Sequence, residues 1–324
     1  MVFDQPYQSI TSKQAYQALD RHYGDTMNLY KIVAHPITAI KALLYGWERA
    51  PEHPAMIHLG WDADKLSLNE CLKQSVREIV TYLQLDPLQN PLILDAGCGV
   101  GGASLLIGQE YAGIETMGLS LIPKQIDQAQ RLQNARQITT THFQVANLLH
   151  VPFKDATFDG IFSLEALCHV PEAEKLDLFT EFYRILKPKQ RFVCMDMYFS
   201  EVPDENLLAD YNHLKQGFTL PDQISPQRLR ELAEQAGLCC HQEIDVTDQV
   251  RPFVKLLDNL LIWFYNPIIK SGTFFSKVPQ INRLIGSLGL NYHNVVPVLN
   301  AWQGGVNLSK ADVIVYYVHV FTKP

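Results

Sequence analysis

Cysteine is scarce and unpatterned in this chain. Its six cysteines, Cys71, Cys98, Cys168, Cys194, Cys239 and Cys240, form no C-x-x-C pair and no paired framework. Disulfide scaffolding and structural zinc are thereby excluded, and free thiols in a reducing compartment are expected. Positive charge is also in short supply: 27 Lys and Arg stand against 34 Asp and Glu, a net charge of −7, and the cations are scattered rather than striped. Such a surface does not hold nucleic acid through its phosphates. The opening residues, "MVFDQPYQSITSK", lack a basic region followed by an apolar run, so no signal peptide is read there and the expected location is cytoplasmic. Long apolar runs are missing as well. The longest, Phe253 to Ile269, holds Lys255, Asp258 and Asn259 in its first half and Pro267 near its end. That disqualifies it as a membrane span, while contact with a membrane surface or a greasy ligand stays open.

What the chain does have is a large apolar fraction, 47% of 324 residues, and an alternation of strand and helix patterns from Pro91 onward. Strands are expected at "PLILDAGCG", "IETMGLSL", "THFQVANLL", "TFDGIFSLE", "RFVCMDMYF", "CCHQEIDVTD" and "DVIVYYVHVFT". The intervening "PEAEKLDLFTEFYRILKP" reads as an amphipathic helix with Leu176, Phe179, Phe182, Tyr183 and Leu186 on its apolar side and a proline stop. The expected fold is α/β: a Rossmann-like, mainly parallel, seven-stranded sheet with helical cap insertions. The expected organisation is an N-terminal helical cap region over 1–90 and a main domain over 91–324, with insertions at about 199–224 and 249–310. Ligands of open α/β sheets bind beyond the carboxyl ends of the strands, where such caps would enclose a substrate.

"LDAGCGVGG" places Asp95 at a strand end and Gly97, Gly99, Gly101 and Gly102 in the turn into a helix. Glycine permits positive φ there and lets backbone amides approach a ligand at the helix N-terminus. Dinucleotide-binding turns look similar, but D-x-G-x-G-x-G, with the acid ahead of the first glycine, resembles the first motif of the Rossmann-like S-adenosylmethionine-dependent methyltransferases. By that resemblance Asp95 holds the methionine ammonium and Gly97, Gly99 and Gly101 make room for the cofactor. The second strand ends in "GLSLIPKQ", without the carboxylate that usually grips the ribose. This resembles the sterol, tocopherol and cyclopropane fatty acid branches and implies that Ser120 and Gln125 lie beside the cofactor; capping of the next helix is a competing role for Ser120. "FQVANLLHVPF" aligns with the family segment whose Asp meets the adenine amino group. Here that residue is Asn147, whose amide oxygen can accept the same bond, with Ala146 and Leu148 packing around the ring.

"SLEALCHVPE" puts Glu165, Cys168 and His169 within five residues. With the helix ending in "LKP", it resembles the fourth-strand motif of the sterol side-chain methyltransferases. An alkene attacking a methyl donor becomes a carbocation that must be kept from water, and a carboxylate can stabilise it and then remove a proton. Glu165 is the expected base, backbone bonding at a strand end being the plainer role for it. His169 is the residue to orient that carboxylate or face the cofactor, or else is structural. Cys168 is read as packing. No second ligand pair occurs at metal spacing, so no metal site is expected within the protein.

Two isoprenoid substrates compete. Sterol or tocopherol-like molecules are suggested by "EALCHVP". A linear prenyl diphosphate such as farnesyl diphosphate, with or without cyclisation of its cation, is favoured by "HYGDTMNLYKIV", where Tyr23, Tyr30 and Lys31 are followed by Lys41 and Arg49. Those groups could hold a diphosphate, with Mg²⁺ as a bridge. Trp263, in the aromatic-rich late insertion, is a further substrate-side candidate, and a homo-oligomer is left open. A methyltransferase-fold protein that binds without catalysing is the alternative of another class.

Overall fold

The computed structural model describes residues 55–56, 58–86, 90–200, 203–221, 224–259 and 292–324. Seven strands form one sheet: β1 (Leu92–Ala96), β2 (Glu115–Ser120), β3 (Thr141–Val145), β4 (Phe158–Leu164), β5 (Leu186–Phe199), β6 (Cys239–Asp245) and β7 (Ile314–Thr322). Their order is β3-β2-β1-β4-β5-β7-β6. The first five are parallel neighbours, and β7 lies antiparallel between β5 and β6. The mainly parallel Rossmann-like sheet expected from the sequence is therefore present.

Strands covered on both faces read as near-continuous apolar runs, and β4 and the second half of β5, from Phe192, do so here. Along β5, Val193 and Met195 enter one core layer, Phe192 and Cys194 the other. The first layer is closed by α1 (Leu68–Leu83), whose Ser67 cap accepts from the Glu70 N–H, and whose Leu83 lies on Gly160 of β4. In the second layer Phe192 stacks on Phe321 at 5.6 Å and meets Phe182 edge-on at 5.1 Å. Phe182 belongs to α4 (Glu172–Ile185), beside which runs α6 (Pro226–Gln235).

One sequence expectation on α4 is corrected. Its buried stripe is Lys175, Leu178, Phe179, Phe182 and Ile185, whereas Leu176 is 37% exposed. A lysine occupies the apolar side because its Nζ donates to the Leu167 carbonyl at 2.6 Å, which satisfies the charge where its stem is buried. Tyr183 is only partly buried, and Leu186 is the first residue of β5.

Helices of the two expected insertions meet each other. Helix α5 (Leu208–Phe218) packs on α7 (Tyr292–Lys310), with Gly304 against the Asp210 backbone and the Asn307 amide donating to the Asp210 carboxylate. Lys310 of α7 pairs at 2.6 Å with Asp258, from helical residues 247–259.

Candidate active site

The strand order reverses between β1 and β4, and the site lies at the carboxyl ends flanking that point. A cavity of about 230 Å³ opens there. It is lined by Asp95 at the end of β1 with Gly97 and Gly99 after it, Ser120 at the end of β2 with Gln125 after it, Asn147 and Leu148 after β3, and Glu165 and His169 after β4. Gly101 is not on its wall. With φ +83° it caps the N-terminus of α2 (Gly102–Glu110), beneath the Phe143 ring and Ala129, so its smallness serves packing; Gly102 lines the cavity instead.

Asp95 is 3% exposed and accepts a 2.6 Å hydrogen bond from the Ser104 hydroxyl of α2. Burial pushes its carboxyl up to about 7, against the pull of Ser104. Gly97, at φ +98°, faces Ala166 so closely that any side chain at 97 would strike it, while the space beside Gly99 is open. Ser120 lies on the cavity wall and also bonds the turn that leads into the next helix. Its hydroxyl accepts from the Ile122 N–H, closing the turn into α3 (Pro123–Ala135), and donates at 2.6 Å to the Gln125 side-chain oxygen. The Asn147 amide oxygen accepts from the Leu149 N–H at 3.1 Å, which shapes its own turn and leaves one lone pair for a ligand.

Glu165 follows β4 with φ +47°, the left-handed region a branched-free but non-glycine residue enters only when its surroundings hold it. Two bonds do so: its N–H donates to the Met195 carbonyl at 2.9 Å, and its Oε1 accepts from the Leu59 N–H at 2.7 Å. Burial pushes its carboxyl up to about 8, with the Leu59 N–H opposing and the Asp196 charge adding. The next turn, Leu167–His169, is clipped by Asp196, whose Oδ2 accepts from the Cys168 N–H at 2.9 Å. Burial raises the Cys168 thiol well above its ordinary value, in keeping with a packing residue.

A second cavity of about 110 Å³ adjoins the first and shares Glu165, His169 and His58 with it. Its remaining wall is largely apolar, including Leu214, Phe218, Val254, Trp302 and Tyr316 from α5, residues 247–259, α7 and β7. Neither cavity has Lys or Arg on its described wall. The sequence reading missed His58, Leu59, Ser104, Asp196 and Tyr316. The available signals were "HLGWD", polar-aromatic after a proline-rich stretch, and an aspartate inside the apolar run of β5. Residues 55, 56 and 58–61 reach the site because Ala55 lies on Gly102, the Trp61 N–H donates to the Cys71 carbonyl, and the Trp61 indole donates to Met195 Sδ at 3.2 Å. Tyr23, Tyr30, Lys31, Lys41, Arg49 and Trp263 lie outside the described residues. Among the described residues no group of three or more His, Cys, Asp or Glu side chains is arranged to hold a metal ion.

The methyltransferase domain family matches residues 94–194, the span from Asp95 through Glu165 to β5. The O-methyltransferase resE of Aspergillus sclerotiorum is 30% identical over 207 residues, 62% of this chain and 75% of that protein. The chain belongs to the S-adenosylmethionine-dependent methyltransferases. Within them it is also similar to the sterol 24-C-methyltransferase of Schizosaccharomyces pombe, at 31% identity over 68% of this chain and 55% of that one. Two solved methyltransferase-fold structures share the architecture. The cyclopropane synthase MmaA2 of Mycobacterium tuberculosis has a TM-score of 0.72 at 14% identity, over 95% of this chain and 98% of that one. Geranyl diphosphate C-methyltransferase of Streptomyces coelicolor, with Mg²⁺, geranyl diphosphate and S-adenosylhomocysteine, has 0.60 at 18%, over 82% and 89%. The methyltransferase's own residues fit the cofactor. A buried carboxylate on a wall without Lys or Arg suits an ammonium, and the open space beside Gly99 suits a ligand running along the turn.

Proposed function

We propose that this methyltransferase transfers a methyl group to an alkene carbon of an isoprenoid, a prenyl diphosphate such as farnesyl diphosphate being the preferred substrate. The observation that carries the reading is Glu165: a partly buried residue at the junction between the cofactor cavity and an apolar one, its carboxyl accepting from the Leu59 N–H and its own N–H donating to the Met195 carbonyl. When bound, S-adenosylmethionine supplies an electrophilic methyl group on a sulfonium sulfur. Asp95, steadied by Ser104, holds the ammonium end. Ser120, Gln125, Asn147 and Leu148 contact the nucleoside portion. The apolar wall excludes water from the substrate, and Glu165 faces the positive charge that develops on carbon. Support for the diphosphate comes from the likeness to geranyl diphosphate C-methyltransferase. The cations to hold it would be Lys31, Lys41 and Arg49, with Mg²⁺ as bridge, since none stands on the described walls.

A second reading, O-methylation, is favoured by the similarity to a fungal O-methyltransferase. Incubation with methyl-labelled S-adenosylmethionine and geranyl, farnesyl and geranylgeranyl diphosphates, sterols, tocopherol precursors and phenols separates them. Label on a carbon of a prenyl diphosphate is the expected result. Label on oxygen, with all alkenes inert, would overturn the first reading.

A further inference from the structure

Three side chains line both cavities. Glu165 and His169 are two; the third, His58, comes from the segment that drapes over the site and is 8% exposed. Its Nε2 stands 3.0 Å from the Leu72 carbonyl oxygen. A carbonyl only accepts, so Nε2 carries the hydrogen, and in the neutral ring Nδ1 is left with a bare lone pair. Burial keeps the ring neutral, lowering its pKa to about 4. Nδ1 has no hydrogen-bond partner among the described residues, and the ring lines both cavities. The residue after His58 donates its N–H to Glu165, so the lone pair and the carboxylate are tied to the same short stretch of backbone.

We propose that Nδ1 of His58 takes the proton that leaves the methylated substrate, while Glu165 supplies the charge opposite the cation. This rests on the alkene reading above. In the step, a C–H bond on a carbon next to the cationic centre breaks. Its electron pair becomes the π bond of the product alkene, and the proton forms the N–H of an imidazolium. The proton then passes to Glu165 or to water as product leaves. A weak base suffices, because a C–H beside a carbocation is a far stronger acid than imidazolium. The division of work follows from how each group is held. A cation at the junction favours the carboxylate form of Glu165, whose proton is released to water before the step, and pairs with it, whereas the His58 lone pair is present whether or not the site is filled.

The test compares wild type, His58→Gln and His58→Ala with S-adenosylmethionine and farnesyl diphosphate. Glutamine can still donate to the Leu72 carbonyl, but its amide oxygen is a much poorer base. Expected for His58→Gln are an unchanged affinity for S-adenosylhomocysteine and a loss of C-methylated alkene of roughly 100-fold. The remainder shifts to alcohol formed by water capture of the cation. In His58→Ala, added imidazole should restore turnover, which a merely structural role would not allow. Wild-type rate and product in His58→Gln would overturn the proposal. If that variant does not fold, His58→Ala that binds S-adenosylhomocysteine yet shows no imidazole rescue would do the same. A wild-type enzyme that makes only methyl ethers fails the alkene reading and takes this proposal with it, a result distinct from an unaffected His58 variant.

Discussion

At the scale of single residues, the site is built from carboxyls denied water. Glu165, with its ordinary value of 4.5 pushed to about 8, holds a proton in the folded state over a pH range where the unfolded chain has released it. Its contribution to the stability of the ligand-free protein therefore falls as pH rises from about 4.5 to 8. His58 and His319, both lowered to about 4 by burial, work the other way, costing stability as pH falls below 6.5. The carboxyl's share is isolated by difference. Glu165→Gln, which keeps an acceptor for the Leu59 N–H, should gain stability over wild type between pH 5 and pH 8, by more than about 1.4 kcal/mol, the equivalent of one pKa unit. Urea unfolding of the two ligand-free proteins at both pH values measures this. A constant difference would mean that Glu165 is not desolvated.

At the scale of elements, the pairing of α5 with α7 depends on two adjacent glycines that are not equivalent. A Cβ at Gly304 would stand 2.5 Å from the Asp210 carbonyl oxygen, a backbone atom that cannot move alone. At Gly305 it would meet only Leu214 Cδ1, at 3.2 Å. Gly304→Ala should destabilise by about 1–3 kcal/mol although alanine favours the helix by about 1 kcal/mol, and Gly305→Ala should be neutral or stabilising. Thermal unfolding of both variants decides, and equal effects would refute the difference in packing. The same contrast shows what could be read in advance. The central strands were legible because burial on both faces favours short, mostly apolar runs such as those of β1 and β4. Asp95 and Glu165 stood out in sequence because each falls in a motif resembling the family's, and the fold brings both to the wall of one cavity. The phase of α4 was misread because a lysine with a buried acceptor looks solvent-facing in sequence, and His58 was missed because its contacts, Leu72 and the Glu165 turn, are distant in the chain.

At the scale of the whole molecule, cofactor binding joins segments that have little else in common. The cavity is walled by Ala55, Met56 and His58 and by the ends of β1, β2, β3 and β4 with the turns that follow them, so a ligand there should brace the sheet against its covering segment. S-adenosylhomocysteine at 100 times its dissociation constant should add about 2.7 kcal/mol of stability. Asp95→Ala should abolish that gain while the ligand-free protein stays folded, as measured by thermal shift with and without ligand. A shift of wild-type size in the variant would remove Asp95 from the cofactor site.

The placement of β7 also orders events in time. Among the described residues strand β6 pairs only with β7, and β7 is made almost seventy residues later, after both α5 and α7. On a ribosome, β5 would emerge with its outer edge bare and β6 without a seat until the last strand arrives to zip both at once. A sheet completed so late exposes the edge of β5 to neighbouring chains throughout synthesis, which makes slow, chaperone-dependent maturation the expected cost of this topology.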